Sequence, residues 1–200
     1  MNQSLRIAVA DDEPDMREYF QRLLPRLGHQ VVAVAKTGRE LVNQCANLKP
    51  DLVITDIKMP DMDGIDAAIQ IYRHRPLPVI LVSAYHDPEL INRAGADHIL
   101  AYLVKPIKHP DLEPAIGLAM RRFEQFQALR QEAADLRQAL QDRKVIERAK
   151  GVLMKRARLD EQEAFRRLQR LASDKNRKLI EIAQMILVGE EAIQPPEKAS

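Results

Sequence analysis

An acidic run, Asp11-Asp12-Glu13, directly follows the apolar stretch Arg6–Ala10, and Asp56 closes a second apolar stretch, Leu52–Thr55. If the two stretches are neighbouring parallel strands, their carboxylates converge where both strands end. Such a cluster of hard oxygen donors suits Mg²⁺. The ion would offset repulsion between Asp56 and an incoming phosphoryl group. Ser83 follows the stretch Pro78–Val82 and offers a hydroxyl to a phosphate oxygen, and Lys105 follows Ile99–Val104 and offers a fixed positive charge. Any one of these residues alone reads as a solvated loop residue. Four strand ends together supplying metal ligands, acceptor, hydroxyl and cation make that reading poor.

The elements that must position these groups are legible as alternating patterns. Five short runs rich in Val, Ile and Leu (Arg6–Ala10, Gln30–Ala35, Leu52–Thr55, Pro78–Val82, Ile99–Val104) have the composition of strands buried on both faces. Helical periodicity falls between them at about 14–27, 37–48, 64–74 and 88–95. This order predicts an α/β domain with a parallel sheet covered on both sides. Pro60 fixes the turn after Asp56, and Gly64 relieves crowding where the next helix begins.

Ala-Asp-Asp-Glu-Pro (10–14), Asp-Ile-Lys-Met-Pro-Asp-Met-Asp-Gly (56–64), Val-Ser-Ala (82–84) and Tyr-Leu-Val-Lys-Pro (102–106) together resemble the receiver domain of two-component response regulators. The resemblance covers about residues 4–125. It implies a flavodoxin-like (βα)5 domain, placed at 1–122, that accepts phosphate from a sensor histidine kinase. It makes Asp56 the phosphoacceptor. Asp12 and Asp56 would ligate Mg²⁺ with the backbone carbonyl of Lys58, while Asp11 acts mainly through water. Ser83 and Tyr102 would form the switch pair, with Lys105 as phosphate partner, and Pro106 would follow Lys105 through a cis bond.

Beyond His109-Pro110 the pattern changes. Leu118 to Lys150 holds no Gly and no Pro and is rich in strong helix formers. Apolar residues recur in steps of three and four at Leu112, Ile116, Ala119, Phe123, Phe126, Leu129, Ala133, Leu136 and Leu140, with one slip of the heptad phase at Phe126–Leu129. A long helix is expected from near His109 to at least Leu140, with a coiled-coil linker at 110–142 pairing two copies as a homodimer. Three helical patterns follow at about 143–157, 161–173 and 177–189. Asp160 and Glu163 have the spacing of a capping box, and Asn176 is a candidate cap for the last helix. The apolar faces are Val145, Ile146, Ala149, Val152 and Leu153; then Ala164, Phe165, Leu168 and Leu171; then Ile180, Ala183, Met185, Ile186 and Leu187. Residues 190–200 are expected to be a disordered tail.

Between Arg143 and Lys178 stand 13 Lys and Arg against 5 Asp and Glu. A basic helical module is a candidate nucleic-acid binder, although charge alone favours a solvated face. The segments 143–154, 160–168 and 176–183 resemble the ANTAR domain, named for the AmiR and NasR transcription antitermination regulators, over about 130–189. Ala-Lys-Gly at 149–151 followed by Leu-Met is the most specific part. The resemblance implies an all-α three-helix module that binds an RNA hairpin and favours antitermination. Lys150, Lys155, Arg156, Arg166, Arg167, Arg177 and Lys178 are the candidate RNA contacts. Gly151 within a helical pattern points to close packing or to approach by RNA.

The remaining composition narrows the function classes. The chain has 200 residues and a net charge of +2, and no run approaches the ~18 apolar residues of a membrane span. The start lacks a signal-peptide pattern and Cys45 is the one cysteine, so a cytoplasmic protein is expected. The five histidines lack metal-ligand spacing and read as surface or loop residues. No Gly-rich phosphate loop marks a fused catalytic domain. The expectation is therefore not an enzyme but a phosphoacceptor that can hydrolyse its own acyl phosphate. A regulator whose helical output acts through DNA or a protein partner is the alternative to RNA-based antitermination.

Overall fold

The five apolar stretches pair side by side in parallel as β1 (Arg6–Ala10), β2 (Gln30–Ala35), β3 (Leu52–Asp56), β4 (Val79–Ser83) and β5 (Ile99–Val104), in the order β2-β1-β3-β4-β5. The computed structural model of the chain describes residues 4–84 and 99–193. The helical pattern expected near 88–95, together with His86 and His98, lies outside the described residues. The chain forms two units, residues 1–128 and 129–200.

In the first unit, strand periodicity sorts side chains between two cores. Ala8, Ala10, Val53 and Leu81 face one, with Leu41, Cys45, Ile65 and Ile71 from α2 (Gly38–Leu48) and α3 (Gly64–His74). Ile7, Val9, Ile54, Ile80 and Val82 face the other, with Phe20, Leu23 and Leu24 from α1 (Pro14–Arg26). Leu112, Ile116 and Ala119 close this second core from the start of α4, which runs from His109 to Ala157. Small alanines on one strand face let α2 and α3 sit close. His29 corrects the surface expectation: it is buried, its Nδ1 accepts the Leu5 N–H at 3.3 Å, and burial lowers its pKa.

Two helix starts fix the loops beside the acidic cluster. Thr37 Oγ1 accepts the Glu40 amide, and Asp63 Oδ1 accepts the Asp66 amide at 2.7 Å. Gly64 is imposed by close approach: a Cβ there would lie 2.0 Å from the Asp56 carbonyl oxygen. The Gly64 N–H instead donates to Ile57 O at 2.8 Å, seating α3 directly against the end of β3.

α4 is one continuous 49-residue helix: it passes Leu140, as expected, and runs on without a break through the segment 143–157. Its stripe changes character along its length. Leu112, Ile116 and Ala119 are buried, Phe123 and Phe126 are half-buried, and Leu129, Ala133, Leu136 and Leu140 are exposed.

In the second unit, α4 is followed by α5 (Glu161–Asp174) and α6 (Leu179–Ile193). Ala149, Leu168, Ile182 and Ala183 form the core, with Val145, Ile146, Leu153, Leu171, Leu179, Ile186 and Leu187 packed around them. Met185, read as part of that face, is exposed, and Ile182 takes the buried place. The capping box at Asp160 and Glu163 is present. Asn176 does not cap the last helix. It sits at φ 49° just past the end of α5, where its N–H donates to Ser173 O and the Arg177 N–H donates to Ala172 O. These are the two bonds of a Schellman ending, with Asn in the left-handed position. α6 is capped instead at Lys178, whose N–H donates to Glu181 Oε2. It continues to Ile193, four residues into the stretch expected to be disordered, and residues 194–200 lie outside the described residues.

Candidate functional site

The β1 and β3 ends meet where the strand order reverses direction, the place at which parallel α/β sheets form crevices. Asp11, Asp12 and Asp56 converge there, each offering an oxygen within 4.8 Å of the others. Asp11 and Asp56 are buried and Asp12 is exposed. Local bonds hold this arrangement. The Glu13 N–H donates to Asp11 Oδ1 at 2.9 Å, and the Arg17 guanidinium donates to the Asp11 and Asp12 carbonyls at 2.7 and 2.8 Å. The donors are all carboxylate, two enclosed and one open to water, and this chemistry fits a hard divalent cation such as Mg²⁺.

Lys105 reaches the same point from the end of β5. Its Nζ lies 3.0 Å from Asp11 Oδ2, 3.0 Å from Glu13 Oε1 and 3.5 Å from Asp56 Oδ1. Burial pushes the Asp56 carboxyl up to about 6, Asp11 and Asp12 add to the rise, and Lys105 opposes it. Burial also raises Asp11, against the pull of Lys105. Lys105 is itself raised, because its carboxylate partners outweigh its burial. The pocket thus holds more negative charge than one ammonium neutralises.

Ser83 is buried at the end of β4, and its carbonyl accepts the Lys105 N–H at 2.8 Å. Tyr102, in β5, packs against the core on the α2–α3 side. Lys58 stands in the loop directly after β3. The Lys105–Pro106 bond is cis, as the resemblance implied. Sequence reasoning placed Glu13 in the acidic run but not against Lys105, and it passed over Arg17. Arg17 acts through backbone carbonyls, which leave no trace in residue spacing.

The candidate nucleic-acid contacts divide sharply in the second unit. Lys150 is buried, its ammonium 2.9 Å from Glu147, 2.7 Å from Glu161 and 5.9 Å from the Phe165 ring centre. It is a structural cation, and its reading as an RNA contact is corrected. Arg156 is engaged with Glu190, Nε to Oε2 2.9 Å, though half its side chain remains exposed. Lys155, Arg166, Arg167, Arg177 and Lys178 are exposed. Arg166 and Arg167 border a shallow concavity with Arg170, one turn further along α5, which sequence reasoning did not single out. Gly151 has open space where a Cβ would stand, so close packing among the described residues does not account for it.

The response regulator receiver domain model matches residues 7–117, and the ANTAR domain model matches residues 134–187. The transcriptional regulatory protein PdtaR of Mycobacterium tuberculosis is 40% identical over 182 residues, covering 91% of this chain and 89% of that protein. The transcriptional regulatory protein HptR of Staphylococcus aureus is 34% identical over 118 residues, 58% of this chain and 46% of that protein. Among solved structures, the response regulator domain of Thermotoga maritima CheB is 30% identical with a TM-score of 0.55, covering 60% of this chain and 98% of that one. Fold, pocket and sequence agree over the same residues: the chain belongs to the response regulators, as a receiver domain followed by an ANTAR domain.

Proposed function

We propose that the chain is a phosphorylation-dependent regulator that takes a phosphoryl group on Asp56 and controls gene expression by binding an RNA hairpin and favouring antitermination. Receiver domains bind Mg²⁺ at an acidic pocket, and here Asp11, Asp12, Asp56 and the Lys58 carbonyl would hold it. When bound, Mg²⁺ supplies positive charge against the phosphoryl oxygens. An Asp56 carboxylate oxygen bonds to phosphorus as the bond from phosphorus to the kinase histidine nitrogen breaks, and the freed imidazole takes up a proton. Lys105 turns from the carboxylates to a phosphoryl oxygen, the Ser83 hydroxyl donates to another, and Tyr102 follows Ser83. Chemistry is confined to this aspartate: acceptance, then hydrolysis of the acyl phosphate. The observation that carries the reading is the convergence of Asp11, Asp12, Asp56 and Lys105 at three strand ends.

The RNA half rests on the ANTAR match and on the excess of 13 Lys and Arg over 5 Asp and Glu between residues 143 and 178. The exposed leucines of α4 favour a homodimer, and no helix among the described residues is long and apolar enough to cross a membrane, in keeping with a cytoplasmic regulator. The test is acid-labile labelling with acetyl phosphate in Mg²⁺. Asp56→Asn abolishes the label, because an amide is a poor nucleophile and ligand, and chelation of Mg²⁺ does the same. Labelling of Asp56→Asn at the wild-type level overturns the assignment.

A further inference from the structure

Glu13 occupies the N-cap of α1, yet its side chain makes no capping bond. At the same position of α2, α3 and α5, Thr37, Asp63 and Asp160 each accept the backbone N–H three residues on. Glu13 gives up that role, and its carboxylate instead lies against Lys105 Nζ at 3.0 Å. The three carboxylates around this ammonium are not equivalent. Side-chain exposure is 1% for Asp11 and 9% for Asp56, but 61% for Glu13, with Lys105 between at 13%. Two carboxylates therefore hold the ammonium inward, against the acidic cluster, and one holds it outward.

We propose that Glu13 is a positioning residue that holds Lys105 on the solvent side of the pocket and thereby limits its competition with Mg²⁺ for Asp11 and Asp56. This rests on the reading of the pocket as an Mg²⁺ site. The ammonium and the metal cannot both lie within contact distance of the same carboxylate oxygens without strong repulsion. With Glu13 present, the ammonium keeps one partner that the metal does not need, and it can swing outward without losing all compensation. Without Glu13, only Asp11 and Asp56 remain to it among the described residues. The backbone supports the division of labour: the Glu13 N–H fixes Asp11 Oδ1, leaving Asp11 Oδ2 as the oxygen that faces Lys105.

The test is a calorimetric or NMR titration of the full chain with Mg²⁺ alone, in four proteins: wild type, Glu13→Gln, Lys105→Met and the double variant. Glu13→Gln is expected to weaken Mg²⁺ binding by about 3- to 10-fold in the wild-type background, and by under about 2-fold where Lys105 is absent, because contacting residues couple. Glu13→Asp keeps the charge but shortens its reach, and should fall between wild type and Glu13→Gln. Circular dichroism confirms that each variant is folded. An equal loss in both backgrounds makes Glu13 a plain surface charge and overturns the proposal, as does no loss in either. If the wild type binds no Mg²⁺, or if Asp56→Asn binds it undiminished, the reading of the pocket itself fails instead.

Discussion

The carboxylate of Asp56 is costly to the resting protein. Its carboxyl is raised to about 6, chiefly by burial and then by Asp11 and Asp12. Between pH ~4 and ~6 the folded chain holds a proton that the unfolded chain has released, so stability declines as pH rises through that window and stays lower above it. The full shift corresponds to ~3 kcal/mol, which screening by water at the partly open site reduces to ~1–2 kcal/mol. Asp56→Asn should stabilise the metal-free protein by that amount at pH 7.5 and flatten the pH profile, as read by thermal melts in chelator from pH 5 to 8. A variant less stable than wild type under those conditions contradicts this electrostatic account. Lys150 illustrates the opposite arrangement, one cation between Glu147 and Glu161. Lys150→Glu would place three carboxylates together in the second unit, so its melting temperature should fall markedly, with loss of helical signal on heating. Unchanged melting would return Lys150 to the surface role that its sequence position suggested. That role was misread because Glu161 belongs to the next helix, and a partner across a turn is invisible to helical periodicity.

At the scale of elements, much was legible because hydrophobic patterning governs it. The strands lie within a residue of their sequence readings, since each buried run is bounded by polar or turn residues. α4 was legible for its want of Gly and Pro over a long stretch. The last helix was legible as a helix, but its buried face was only partly so. α6 is apolar at Leu179, Ile180, Ile182, Ala183, Met185, Ile186, Leu187 and Val188, so its sequence does not mark one face. Packing against Ala149 and Leu168 chooses Ile182 and Ala183. Asn176 was ambiguous for a related reason, since Asn suits both a helix start and a left-handed ending. The exposed stripe of α4 carries a prediction of its own. Leu136 is exposed within a helix interior, so Leu136→Asp should leave the receiver fold intact by circular dichroism. If the stripe pairs two chains, the same change should shift sedimentation from dimer towards monomer. A variant that sediments like the wild type rules out pairing through Leu136.

Over the whole molecule, net charge is only +2, yet the stretch from Arg143 to Lys178 concentrates an excess of Lys and Arg. Burial of Lys150 and the pairing of Arg156 with Glu190 leave eleven exposed cations in this stretch, Lys155, Arg166, Arg167, Arg170, Arg177 and Lys178 among them. Neutralising phosphates releases counterions, so affinity for RNA should fall steeply with salt. If phosphorylation of Asp56 favours pairing through α4, two modules on one RNA gain through effective concentration, by ~10² where geometry fits. The most direct test is a fluorescence titration of phosphorylated and unphosphorylated protein against leader-RNA hairpins from its own organism, with duplex DNA of matched length as control. Preference for a hairpin over the duplex is expected, with tighter binding after phosphorylation and weaker binding by Arg166→Glu with Arg167→Glu while Asp56 still accepts phosphate. Equal affinity for hairpin and duplex, or indifference to those charge reversals, would contradict it.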